Sequence, residues 1–227
     1  MKFKTIKLKI TLIEQMLGTK AANKDVFADY IASKAPDDDL RKQELDTAEH
    51  REEAGTTVFH RDADGALIMW NYQFKGFLKE SANVIRQTMS GDGEEPPEAA
   101  AGAAAVKKPR KRGTVWGNAK AKIDNFLFVS PRQIKLFAPG RVVAAKTRPD
   151  GVCERPLRAE TQQGPRVTVA RSEVVDPGTY FICEVSLVEG GPVTEEMVLQ
   201  CLDYGALKGL GQWRNSGKGA FSYQILD

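Results

Sequence analysis

Apolar and polar residues alternate from the start of the chain. Phe3, Ile6, Leu8, Ile10 and Leu12 stand between lysines and threonines, which predicts a half-buried strand over about residues 2–13. Asn23 is placed to cap a short helix to about Lys34, with Val26, Phe27, Tyr30 and Ile31 on one face. Pro36-Asp37-Asp38-Asp39 opens a second, acidic helix to about Ala54, with so few apolar residues that it reads as an insertion outside the core. Residues 56–61 and 66–72 read as a β-hairpin around Asp62-Ala63-Asp64-Gly65. That tetrapeptide matches the start of a calcium loop, but the closing Glu is missing, so turn chemistry is the better reading. Phe74, Phe77, Leu78, Ala82 and Ile85 have helical spacing and predict a core helix over about 74–88. Strand patterns return in residues 126–129 and 133–137, as a strand pair or one kinked strand, and again in 167–175 and 179–188 around the turn Asp176-Pro177-Gly178. Residues 155–162 are polar and loop-like. Thr194 caps a last helix to about residue 208, with Glu195 and Glu196 in its first turn and Met197, Val198, Cys201 and Leu202 as its buried face. A strand over about 219–226 follows.

Between that helix and that strand lies GLGQWRNSGKG, with Gly209, Gly211, Gly217 and Gly219 in eleven residues. Each glycine loses more backbone entropy on folding than any other residue, so the run implies conformations or close approaches that a side chain would forbid. Trp213 and Arg214 sit between the glycine pairs, and Lys208 and Lys218 flank them; residues 207–219 carry three cations and no acid. Such a loop can hold an anionic backbone on main-chain N–H groups beside a ring for stacking. It is not a P-loop, because five residues separate the glycine pairs and Gly219 follows Lys218. The helix-before, strand-after order also excludes the dinucleotide fingerprint. The structural alternative is a helix C-cap at Gly209 and a bulge leading into the last strand.

Composition changes this picture mainly through charge. The chain has 227 residues and 41% hydrophobic content, enough for one large domain with a core. Low complexity over about residues 90–113 marks a flexible linker ending in the basic cluster Lys107, Lys108, Arg110, Lys111 and Arg112. The net charge of +3 conceals segregation: residues 36–53 hold eight acids against three bases, 106–122 hold seven bases and no acid, and 131–171 hold nine bases against three acids. A polyanion partner fits that distribution. No stretch approaches a membrane span, and the amino terminus lacks a signal-peptide block, so no membrane association and a cytoplasmic location are expected. Cys153, Cys183 and Cys201 lack metal-ligand spacing and read as reduced core thiols; no metal or other cofactor is expected.

Without the insertions, the order is strand, helix, strand, strand, helix, strand. This predicts an α+β domain, a ferredoxin-like (RRM-type) βαββαβ antiparallel sheet with helical and hairpin insertions, occupying residues 1–227 as one unit. The two glycine pairs, five residues apart between the last helix and last strand, resemble the hallmark of the RAMP superfamily of CRISPR-associated proteins, the Cas5, Cas6 and Cas7 group. Phe74-Lys75-Gly76-Phe77-Leu78-Lys79 resembles a lysine–glycine helix start of the Cas7 group, in a compact member of the phage or prophage type. The resemblance implies that the glycine loop and the neighbouring sheet face cradle single-stranded, guide-like RNA. It implicates Gly209, Gly211, Trp213, Arg214, Gly217, Lys218 and Gly219, with Lys75 and Lys79 at the helix start and with the acidic insertion at 36–53 and the basic arm at 106–122 as thumbs. Partners would be RNA and either further copies of the chain or Cas proteins.

The leading expectation is therefore a non-catalytic RNA binder. An endoribonuclease of the Cas6 or metal-dependent kind is an alternative, for which His60, Asp25 and Asp29 are the catalytic candidates. His50 lies in the acidic segment and fits no motif. A phage protein that imitates a Cas subunit to block CRISPR defence is a second alternative, and a phage structural protein a third.

Overall fold

The computed structural model describes residues 1–22, 56–90, 116–140, 143–161 and 164–226. In chain order its elements are strands β1 (Phe3–Leu12), β2 (Met16–Leu17), β3 (Lys20–Ala21), β4 (Thr56–Val58), β5 (His60–Arg61) and β6 (Leu67–Trp70), helices α1 (Asn71–Ser90) and α2 (Ala119–Phe126), strands β7 (Leu127–Ser130), β8 (Gln133–Phe137), β9 (Gly151–Thr161), β10 (Gly164–Val175) and β11 (Tyr180–Val188), helix α3 (Glu195–Lys208) and strand β12 (Phe221–Leu226). The expected helices over 23–34 and 36–54, and the linker from residue 91 through its basic cluster, lie outside the described residues, as do Asp25, Asp29, His50, Lys107, Lys108, Arg110, Lys111 and Arg112.

The alternation in β1 buries Ile6, Leu8, Ile10 and Leu12, while Lys7 on the opposite face stays exposed. β1 pairs antiparallel with β11 on one side and β12 on the other, so Leu8 meets Cys183 and Ile10 meets Phe181 in register. The main sheet has the order β12-β1-β11-β8-β6-β5, with β7 also paired to β11. The molecule is thus α+β, with its core between the buried face of this antiparallel sheet and the helices. From α1 come Phe74, Phe77, Leu78 and Ala82, and from α3 come Met197, Val198, Cys201 and Leu202. At the crossing of the two helices, Gly205 lets the Phe77 ring in: a Cβ there would stand 1.8 Å from that ring. Burial pushes the Cys183 and Cys201 thiols up to about 12, which makes them inert core fillers at neutral pH.

β7 and β8 do not pair with each other. Both lie along β11, opposite residues 184–187 and 180–181, so the kinked-strand alternative describes them, with the cis Ser130–Pro131 peptide at the break. β8 continues onto β6 through Lys135, Ile134 and Gln133. The hairpin turn over 62–65 is an Asx turn: Asp62 Oδ1 accepts from the backbone N–H groups of Asp64 at 3.0 Å and Ala66 at 2.8 Å. Helix α1 begins earlier than the apolar spacing predicts because Gln73 caps it, its Oε1 accepting from Trp70 N–H at 2.9 Å.

Two expectations need correction. Residues 155–161 are strand, the second half of β9, whose backbone pairs with β10 along the whole of 151–161. Residues 116–122 do not form the end of a free basic arm: Trp116, Ala119 and Ile123 are buried against the helical layer. The second sheet, β2-β10-β4-β3 with β9 on β10, stands beside the first and carries this long ribbon.

Candidate nucleic-acid interface

The glycine loop is pinned at both ends by main-chain contacts. Gly209 N–H donates to Gly205 O at 2.8 Å, Leu210 N–H to Gly219 O at 2.9 Å, and Gly219 N–H to Gln15 O at 2.7 Å. Leu210 is a buried plug between them. All four glycines have φ between 78° and 83°. A Cβ on Gly219 would sit 1.9 Å from Leu210 O, one on Gly209 2.3 Å from Lys218 O, and one on Gly211 2.8 Å from Leu17 O. Three of the glycines are therefore required where the chain crosses itself, and Gly217 only by its left-handed φ.

What the loop presents outward is carried by its side chains. Trp213 is 42% exposed and has φ 55°, a left-handed conformation unusual for a bulky residue. The Arg155 guanidinium of β9 lies 5.2 Å from its ring centre and also donates to Gln212 Oε1 at 3.2 Å and Ser172 Oγ at 3.3 Å. Arg214 is paired with Glu80 of α1 at 2.8 Å, and Lys218 Nζ donates to Gln15 Oε1 at 3.0 Å. Lys208 ends α3, where a cation complements the helix dipole.

Beneath the loop is a cavity of about 260 Å³. Its apolar walls include Met16, Phe59, Met69, Phe77 and Leu210; His60, Gln73, Glu80 and Arg214 supply polar groups. Burial, then the charge of Lys20, hold the His60 imidazole below its ordinary pKa, so it is neutral at pH 7. The exposed Gly76 stands at the edge of this space.

Lys75 and Lys79 lie in the body of α1 rather than at its first turn. Lys79 Nζ contacts both Asp124 carboxylate oxygens, at 2.9 and 2.7 Å, and Lys75 Nζ donates to the Asp124 carbonyl at 3.0 Å. Burial holds the Lys75 ammonium below the usual lysine range, with Asp124 opposing and Lys79 reinforcing that shift. Both lysines thus join α1 to α2. The structure brings His60 to the same cavity as Arg214 and Gly211. Nothing local in the sequence marks Arg155, Glu80 or Gln15 as partners of the loop, or Gln73 as part of the cavity wall; Gly76, in its Lys-Gly step, is the one visible signal.

No group of three or more metal-ligating side chains occurs among the described residues, and none of their helices is long and apolar enough to cross a membrane. No protein-family model and no curated protein matches the chain. Among solved structures, it is similar to a chain of a type IV-B CRISPR complex, at 13% identity and TM-score 0.45 over 98% of this chain and 90% of that one. It is also similar to a chain from the cryo-EM structure of the type III-B Cmr-beta bound to cognate target RNA, at 10% identity and TM-score 0.43, over 100% of this chain and 61% of that one.

Proposed function

We propose that this chain is a non-catalytic binder of single-stranded RNA, a RAMP-type protein of the Cas7 kind built on a ferredoxin-like core, which assembles with copies of itself or with Cas proteins. The order β1, α1, β7 with β8, β11, α3, β12 supports the core: the last strand lies beside the first, and the first beside the third. The observation that carries the RNA reading is the exposed Trp213 ring with Arg155 beside it, on a loop that also holds Arg214 and Lys218. Base stacking on an exposed ring, combined with cations for the phosphates, is how proteins take single strands without reading their sequence.

The test is binding of a fluorescent single-stranded RNA across a salt series. Wild type is expected to bind with steep salt dependence. Arg214→Glu with Lys218→Glu is expected to lose about tenfold or more in affinity at ~0.1 M salt and to flatten the salt slope. An unchanged affinity in that double variant would sink the loop as the site. A protein that only imitates a Cas subunit at a protein interface would show no such RNA affinity in the wild type.

A further inference from the structure

Gly76 is in the body of α1, where glycine weakens a helix relative to alanine. Among the glycines whose surroundings are described, it alone has neither a positive φ nor an atom within 4 Å of where its Cβ would lie. Nothing in the fold explains it. It borders the cavity beneath the glycine loop, so the missing side chain leaves that mouth open to something that approaches the helix backbone closely.

The cavity has the chemistry of a heteroaromatic ring. Met16, Phe59, Met69 and Phe77 offer apolar surface to a flat face. Glu80 and Arg214 are paired with each other, yet the carboxylate keeps a second oxygen and the guanidinium further N–H groups, and the neutral His60 can donate or accept, which suits an edge with mixed donors and acceptors. An aliphatic or phenyl side chain would use none of that remaining capacity. Two ring-and-cation pairs flank the space. Trp213 with Arg155 adjoins the Arg214 wall. Trp70, 5.8 Å from the His60 ring, has Arg132 at 5.8 Å and the exposed Tyr72 stacked on it at 6.2 Å, adjoining the His60 wall. Repeated aromatic platforms with cations beside them are what a single strand follows.

We propose that the cavity receives one unstacked base of the bound strand, with its neighbours lying on the Trp213 and Trp70 platforms. This rests on the RNA-binding reading above. Bases splayed out of a single strand, stacked on side chains and hydrogen-bonded at their edges, are the usual means of reading RNA.

The full chain would be titrated with RNAs of about 12 nucleotides carrying 2-aminopurine at one position at a time. Emission is expected to rise at one position, where the base leaves its neighbours. Gly76→Leu closes the mouth with a better helix former; it is expected to lose that signal and about tenfold in affinity while its thermal midpoint stays the same or rises. If wild type binds and the Arg214→Glu, Lys218→Glu variant is weakened, but emission changes alike at every position and Gly76→Leu binds as wild type, the cavity proposal fails and the loop stands. If wild type does not bind RNA at low salt, both fail. The position scan on wild type decides the matter even if Gly76→Leu does not fold.

Discussion

At the scale of single residues, Trp213 separates structure from binding. Its left-handed backbone costs roughly 1–2 kcal/mol for a residue with a Cβ, and a glycine would relieve it. Trp213→Gly is therefore expected to hold or raise stability in urea melts, by up to about 1 kcal/mol. In RNA titrations the same variant is expected to lose about 1–3 kcal/mol, one stacked base. A loss of stability together with unchanged RNA affinity would show the ring to be a packing residue. Trp213, Arg214 and Lys218 were legible in the sequence because glycines and cations cluster in one short window. Their partners were not, because Glu80, Arg155 and Gln15 lie far away along the chain and only the fold brings them near. The glycine run predicts special conformations or close approaches without saying to what, and for three of the glycines the close neighbour is the chain's own backbone.

At the scale of elements, α1 and α3 cross where the Phe77 ring packs on Gly205. Gly205→Ala is expected to destabilise by several kcal/mol, as overpacking on a ring that cannot withdraw. Combining it with Phe77→Leu should recover part of that loss, so a double-mutant cycle by chemical denaturation is expected to show a coupling of at least about 1 kcal/mol. Additive losses would mean that the helices slide rather than collide. The spans of β1, α1, α3 and β12 were readable because each buries one periodic face. β9 was hidden because its polar sequence carries no apolar alternation, and its partner β10 is known only from the fold. α2 was hidden because it has only eight residues and sinks Ala119 and Ile123 behind lysines that read as a free arm. The cavity was beyond any local pattern, since residues 16–19, 59–80 and 210–214 all contribute to its wall.

At the scale of the whole molecule, β1 and β11 are interior strands paired on both sides, whereas β9 pairs with β10 alone among the described residues. Native-state hydrogen exchange is expected to place the amides of β1 and β11 at the free energy of global unfolding and those of β9 well below it. Equal protection in both would mean that the ribbon opens only with the core. The contact that closes the glycine loop has a consequence in time. Lys218 reaches Gln15 across 203 positions of chain, and Gly219 is bonded to the same residue. Contacts of such sequence separation form late, after the local helices and hairpins. A nascent chain still waiting for β12 to dock on β1 has its lysines and its tryptophan but nowhere to fix them. The loop proposed above to hold RNA takes its shape only once β12 has docked on β1, so the shape of the site and the closing of the sheet arrive together.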